Sequence, residues 1–350
     1  MSLRSSLKKV IAGQPLTAAE AESAIEAIMF GDADPVAAGG LLTALATRGE
    51  SVDEVTGAAR AMRQAAQPFD SPLAKRAVDT CGTGGDGSGT FNISTAAAFV
   101  VAAAGVPVIK HGNRAVSSRS GSADLLQALG ATIDLPPAAM SEVLEASGMA
   151  FLFAPVYHPA MRHAVPIRRS LGVRTLFNLL GPICNPAAVA HQVIGVFDAR
   201  WLALADVLRN LGSTRAMVVH GADGLDELSL TGVTFVTELH EGELTQTQLT
   251  PEGVGLEPCR LEELKGGDAQ ANAATLRRLF APSAQPLAEP IARAVVYNAA
   301  AALYVAGAAS SVTEAVPVAA EQLASGAALA CVDRFVQATT ERAGARKEGM

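Results

Sequence analysis

Residues 78–122 constrain the fold more than any other stretch of this 350-residue chain. Ala77-Val78 leads into the run Asp79-Thr80-Cys81-Gly82-Thr83-Gly84-Gly85-Asp86-Gly87. Thr90-Phe91-Asn92-Ile93-Ser94-Thr95 follows, then an Ala/Val-rich segment ending at Gly105. The unit continues with Val106 to Ile109 and then Lys110-His111-Gly112-Asn113-Arg114-Ala115-Val116-Ser117-Ser118-Arg119. The pattern predicts strand, glycine loop, helix, strand and a second, cationic loop. The helix is expected over Ala96–Ala104, with Asn92 or Ser94 as N-cap and Gly105 as its stop. Val106–Ile109 has the β-branched character of a buried parallel strand. A right-handed crossover would bring both loops to the carboxyl edge of the sheet, where open α/β sheets bind ligands. Glycines let backbone N–H groups approach an anion, and a helix N-terminus adds partial positive charge. The expected ligand carries phosphate.

Other readings of the glycine run are weaker. Gly82 to Gly87 fits G-x-G-x-x-G, but Ser88 to Phe91 separate it from the helix. The second strand also ends in Lys110 instead of the acid that would hold a ribose in a dinucleotide site. A P-loop is excluded because no Gly-Lys-Ser/Thr follows. A tight turn without a ligand is the plainest alternative, and the cationic loop after the next strand argues against it.

Around this unit the chain alternates. Residues 1–66 read as helices: Ala21–Phe30 behind the capping box Thr17–Glu20, Val36–Thr47 behind Asp34-Pro35, and a third opened by Ser51. Pro68–Pro72 is a linker. Helices are then expected at Ala123–Leu129, from Pro136-Pro137 to Ser147, and at Pro159–Ser170 continuing into Arg174–Leu180 up to a break at Gly181-Pro182. Strands are expected at Ala131–Leu135, Met149–Phe153, Gln192–Phe197 and Ala216–His220, with a helix at Trp201–Leu211 between the last two. A hairpin-like region spans Val233–Leu249, and Ala-rich helices complete the chain. The fold class is therefore α/β, a small helical N-terminal unit before a larger domain with a central, mostly parallel sheet. Apolar residues are 49% and aromatics only 4%, so Ala, Val and Leu must fill the core.

A net charge of −7 and the lack of any Lys/Arg run argue against nucleic acid as partner. The apolar stretches Ala96–Val108 and Ala299–Ala309 are too short for a bilayer, and Met1–Ile11 lacks a signal-peptide apolar core. The expected compartment is the cytoplasm. Cys81, Cys184, Cys259 and Cys331 lack the spacing of a zinc site or a disulfide framework.

Two further features carry chemistry. No Asp or Glu occurs between Glu145 and Asp198, whereas Arg162, Arg168, Arg169 and Arg174 all do, an acid-free zone suited to an anion. Directly after the strand Ala216–His220, Asp226 and Glu227 offer adjacent carboxylates of the kind that hold Mg²⁺.

The run D-T-C-G-T-G-G-D-G, then F-N-I-S-T and K-H-G-N-R-A-V-S-S-R-S-G-S-A-D, resembles the anthranilate phosphoribosyltransferase family of tryptophan biosynthesis. The resemblance continues through Y-H-P-A-M-R-H-A, R-T-L-F-N-L-L-G-P-I-C-N-P and H-G-A-D-G-L-D-E-L-S, nearly the whole chain. It implies displacement of pyrophosphate from phosphoribosyl pyrophosphate by the amine of anthranilate. For the donor it implies Gly82, Gly85, Asp86, Thr90, Asn92, Ile93, Ser94, Thr95, Lys110, His111, Gly112, Asn113, Arg114, Ala115, Val116, Ser117, Ser118 and Ser122. For anthranilate it implies Gly82, His111, Asn113, His158, Arg168 and Pro182, with no residue assigned as acid or base. Ser94, Asp226 and Glu227 would hold Mg²⁺, two ions per active site. The implied organisation is a helical domain over 1–66, joined by a segment near 165–185, a phosphoribosyl-diphosphate-binding domain over 73–164 and 186–350, and a homodimer through the helical domain. A pyrimidine nucleoside phosphorylase would share the fold but lack this glycine loop and the F-N-I-S-T helix start. A nucleic-acid-binding relative would show basic exposed segments and a degraded loop, unlike this chain of pI near 5.4.

Overall fold

The computed structural model describes residues 2–115 and 119–348. Helices α1 (Leu3–Ile11), α2 (Ala18–Met29), α3 (Pro35–Arg48) and α4 (Val52–Gln64) come first. Each starts on a short polar side chain. Ser2, Thr17, Asp34 and Ser51 accept from the backbone N–H three residues on, with complete capping boxes at Thr17 and Ser51. α2 and α4 approach so closely that a Cβ at Gly57 would lie 2.0 Å from the Ala18 carbonyl oxygen.

The larger α/β part follows in order. It contains β1 (Val78–Asp79), α5 (Ile93–Ala103), β2 (Val108–Gly112), α6 (Ser122–Ala128), α7 (Pro137–Ser147) and β3 (Met149–Phe153). Then come α8 (Ala154–Tyr157), α9 (Met161–Leu171), α10 (Phe177–Ile183), β4 (His191–Gly195), α11 (Leu204–Asn210) and β5 (Arg215–Gly221). The chain ends with β6 (Thr234–His240), β7 (Glu243–Leu249), α12 (Ala269–Phe280), α13 (Pro290–Val305), α14 (Val312–Ala324) and α15 (Ala327–Glu348). The sheet order is β3-β2-β1-β4-β5-β6-β7, parallel through β5 and antiparallel for β6 and β7. From β1 the chain builds outward to β2 and β3, and β4 then returns to the other side of β1. Between β1 and β4 the sheet has its topological switch point, the crevice where such sheets take ligands.

Side chains alternate between two cores. Val193, Met217 and Val219 face the layer of α5, α13, α14 and α15, whereas Ile194, Ala216 and Val218 face α4, α10 and α11. α9 packs against α2 and α3. The architecture is thus a small helical N-terminal domain before a larger α/β domain with a mostly parallel sheet, as the residue pattern predicts.

Several elements differ from expectation. Ala131–Leu135 forms no strand: Ala131, Ile133 and Leu135 are buried in alternation, but β3 is the sheet edge and pairs only with β2. The Thr132 N–H instead donates to Thr339 Oγ1 on α15 (3.2 Å). The second strand sits later than predicted, at Val108–Gly112, and α5 starts three residues earlier, at Ile93. Pro159–Leu180 is not one continuous helix. Gly172, at φ 64°, ends α9 in the left-handed region, and Gly181-Pro182 lies inside α10. The predicted hairpin forms around Glu241-Gly242, at φ 49° and 87°, a two-residue turn suited to the twist of its strands.

Candidate active site

The loop after β1 folds back over the end of β4 and meets the loop after β5. The Thr83 N–H donates to the Gly195 carbonyl (2.9 Å), and the Phe197 N–H to Thr83 Oγ1 (3.2 Å). Gly84, Gly85, Gly87 and Gly89 all have φ between 65° and 78°, which L side chains rarely adopt. Asp86 closes a turn by accepting from the Ser88 N–H and hydroxyl at 3.0 and 2.8 Å. From outside, the Lys265 ammonium donates to the Ser88 carbonyl (2.8 Å), and Thr90 bridges to Lys265.

Two carboxylates reach into this loop from beyond β5. Asp226 Oδ2 accepts the Gly84 N–H (2.6 Å), and Glu227 Oε1 accepts the Ser94 N–H in the first turn of α5 (3.1 Å). A Cβ at Gly82 would come within 3.0 Å of Asp226 Oδ2. Both acids keep partial solvent contact at residue level, yet their carboxyls lie inside the site. Burial raises the Asp226 carboxyl well above its usual range, helped by Asp86 and Glu227. Burial likewise raises Glu227, with Asp86 adding to the shift and Lys110 opposing it. The Lys110 ammonium is itself buried and committed to the Thr80 carbonyl (2.7 Å) and hydroxyl (3.1 Å). The two acids crowd each other while the one nearby ammonium is committed elsewhere, and their all-oxygen donor set fits a hard divalent cation. Among the described residues no three His, Cys, Asp or Glu side chains are grouped to hold a metal unaided. Ligand oxygens and water must complete the shell.

Buried amides position these groups. Asn298 on α13 accepts the Leu228 N–H (2.9 Å) and donates to the Leu228 carbonyl (3.1 Å), fixing the peptide next to Glu227. Asn92, ahead of α5, receives Asn272 Nδ2 (2.8 Å) and donates to the Ser120 carbonyl (3.0 Å). Asn185 donates to Asp79 Oδ2 and the Ile109 carbonyl, each at 2.8 Å. Asp79, raised by burial to about 6, also accepts the His111 N–H. Sequence reasoning assigned Asn92 but missed Asn185, Asn272 and Asn298. A lone amide in the otherwise apolar run Ala294–Val305 is the signal that could have found the last.

After β2 the chain turns tightly. A Cβ at Gly112 would lie 2.4 Å from Ser122 Oγ and 2.6 Å from the Phe151 ring. Ser122 Oγ donates to the Asn113 carbonyl, and Asp124 gathers the Ala115 and Gly121 N–H groups and the Arg114 guanidinium. Val116, Ser117 and Ser118 lie outside the described residues. Ile93 and Thr95 are buried in the first turn of α5.

Near the end of β2 the imidazoles of His111 and His158 lie against each other, tilted by 58° with centroids 5.0 Å apart. His111 Nδ1 lies 2.8 Å from the Gly181 carbonyl, beside Pro182, and its Nε2 has no partner. Neither His158 nitrogen has a hydrogen bond of good geometry, although the Cys184 and Met62 carbonyls favour its protonation. Burial lowers His111 to about 4, and burial with His111 lowers His158 to about 3, so both are neutral near pH 7. Arg168 on α9 is half-buried over the Phe177 ring (5.5 Å), and its guanidinium has no hydrogen bond or ion pair among the described residues. Burial lowers its pKa as well. The geometry thus offers a carboxylate-rich glycine cleft beside an apolar, histidine-lined corner with α9 near it.

Comparison with known proteins places the sequence and the fold. Residues 74–329 match the family described as glycosyl transferase family, a/b domain, and residues 4–66 match its helical bundle domain. The anthranilate phosphoribosyltransferase of Rubrobacter xylanophilus is 50% identical over 343 residues, covering 98% of this chain and 99% of its own. The crystal structure of the Thermus thermophilus enzyme superposes with a TM-score of 0.89 at 49% identity, over 96% of this chain and 99% of that one. The Saccharomyces cerevisiae enzyme, in complex with PRPP and Mg, gives a TM-score of 0.88 at 27% identity, over 97% and 98%. By sequence along its whole length and by fold, the chain belongs to the anthranilate phosphoribosyltransferase family.

Proposed function

We propose that this protein transfers the 5-phosphoribosyl group of phosphoribosyl pyrophosphate to the amine of anthranilate, giving N-(5-phosphoribosyl)anthranilate and pyrophosphate. The observation that carries the reading is the meeting of Asp226 and Glu227 with the glycine loop and the α5 N-terminus at the switch point of the sheet. Related yeast structures support it, one holding PRPP and Mg and another 4-fluoroanthranilate.

The donor would lie across the loop Gly82–Thr90, the turn Asn92–Thr95, and the Lys110–Ser118 loop with Ser122. The N–H groups of Gly85, Asp86 and Gly87, which are not among those held by Gly195, Asp226 or Asp86, would face its charged oxygens. Ser94, Asp226 and Glu227 would hold magnesium, two ions per site, whose charge stabilises the departing pyrophosphate. Gly82, His111, Asn113, His158 and Pro182 would wall the acceptor ring. Arg168, a cation with no ion pair among the described residues, would take the carboxylate. In the transfer the anthranilate nitrogen bonds to ribose C1, the C1–O bond to pyrophosphate breaks, and the nitrogen loses a proton. An aryl amine is nucleophilic when neutral, so the chain's residues act by positioning the reactants and by stabilising charge.

The helical domain is assigned to 1–66 with the segment near 165–185, the α/β domain to 73–164 and 186–350, and the assembly to a homodimer through the helical domain. Among the described residues no single helix is long and apolar enough to cross a membrane. The compartment is assigned as cytoplasm, with no nucleic-acid partner. The test is loss of anthranilate fluorescence on mixing protein, Mg²⁺ and phosphoribosyl pyrophosphate, and its arrest by chelator. Asp226→Ala with Glu227→Ala should abolish turnover with the melting curve retained. A double variant that keeps near-normal rate at limiting Mg²⁺ would remove these acids from the metal site.

A further inference from the structure

Arg174 belongs to the acid-free arginine zone but has no part in the acceptor corner. It lies between α9, which carries Arg168, and α10, which carries Pro182. Its guanidinium stacks 4.1 Å from the centroid of the Phe197 ring, and its Nη2 donates to the Gly85 carbonyl. The Phe197 N–H meanwhile donates to Thr83 Oγ1, and the Thr83 N–H to the Gly195 carbonyl. These contacts close a circuit: the end of β4 holds Thr83, its Phe197 ring seats Arg174, and Arg174 holds Gly85. Gly84, between the two held points, gives its N–H to Asp226. A Cβ at Gly85 would face Arg174 Nη2 at 3.5 Å, so the guanidinium lies directly against this glycine.

We propose that Arg174 is a positioning residue for the donor. Seated on Phe197, it clamps the Gly85 carbonyl and so holds the loop's N–H groups toward the donor's charged oxygens. The inference rests on the donor reading given above. Its physical basis is conformational. Four glycines with positive φ leave the loop many alternatives when free, and each must be surrendered when the donor binds. A side chain that fixes the middle of the loop beforehand removes part of that cost. The planar guanidinium can lie flat on a ring and donate from its edge at once, which an ammonium cannot do. Because the clamp comes from the segment between the two acceptor elements, it also links the acceptor corner to the donor loop.

The experiment measures donor affinity by calorimetry with Mg²⁺ and phosphoribosyl pyrophosphate, together with steady-state constants for each substrate. Arg174→Ala should weaken donor binding by roughly 5- to 30-fold, the scale of one charged hydrogen bond at an exposed position. The acceptor constant and melting temperature should stay near wild type. Arg174→Lys should recover only part of the loss. Phe197→Leu should weaken the donor as well, and the double variant should lose little more than Arg174→Ala, because both changes break one clamp. Unchanged donor affinity in Arg174→Ala overturns the proposal. Strictly additive losses also overturn it, since Arg174 would then act without its seat. A wild-type protein that binds no donor sinks the functional reading itself, an outcome distinct from either.

Discussion

At the scale of single residues, the proposed acceptor corner would depend on one cation and two neutral rings. Among the described residues the Arg168 guanidinium has only the Phe177 ring beside it, so its removal should cost what a charged hydrogen bond to a carboxylate supplies, about 1.5–3 kcal/mol. Arg168→Ala should raise the apparent Michaelis constant for anthranilate by roughly 10- to 150-fold and leave the donor constant nearly unmoved. Equal rises for both substrates would mean that the residue is structural. His158 gives a prediction about pH. Its folded value, about 3, lies below the value near 6.5 of an unfolded histidine. The unfolded chain therefore binds more protons below about pH 6.5, and this contribution to stability is lost as pH falls toward 3. Between pH 8 and 5 the wild type should lose about 2 kcal/mol more than His158→Gln, read from urea midpoints. Parallel losses in the two proteins would mean that His158 is solvated.

At the scale of elements, legibility follows the range of the interaction that decides each feature. Helix starts at Thr17 and Ser51, the hairpin at Glu241-Gly242, and the strand–loop–helix unit rest on contacts a few residues apart, and the sequence carries them openly. Ala131–Leu135 has the alternation of a strand but no neighbour to pair with, which only the sheet order reveals. Asp226 and Glu227 could be picked out as candidate metal acids from their place after a strand. The amides that steady the site are less legible: Asn298 stands out only as a lone amide in an apolar run, and Asn272 meets Asn92 across 180 residues. The helical bundle supplies a test at this scale. Gly57→Ala would drive a methyl against the Ala18 carbonyl, so α2 and α4 must separate. A loss of about 1–3 kcal/mol is expected, the usual cost of overpacking. Unchanged denaturant midpoints would show that the two helices can part freely.

At the scale of the whole molecule, the exposed apolar side chains are unevenly spread. Among the described residues the large exposed ones are Ile11, Phe30, Val36, Val165, Val173 and Val318. Only Val318 lies outside the N-terminal helices and the α9 segment packed on them. Val36 is 83% and Ile11 70% exposed, and burying such groups against a second copy would recover about 25 cal/mol for each Å² of apolar surface removed from water. Scattered single apolar residues need no partner, but a concentration on the smaller of two domains fits an interface. A homodimer through this domain would leave the switch-point cleft of each copy open, because the cleft lies at the carboxyl edge of the sheet. The chain should therefore sediment at twice its 35.8 kDa mass, and Phe30→Asp with Val36→Asp should shift it to the monomer. The variant should keep its melting cooperativity, since neither side chain belongs to a core cluster. Sedimentation velocity across a concentration series reads the outcome directly. A wild-type chain that stays monomeric at high micromolar concentration removes the dimer, and a variant that remains dimeric moves the interface to another face.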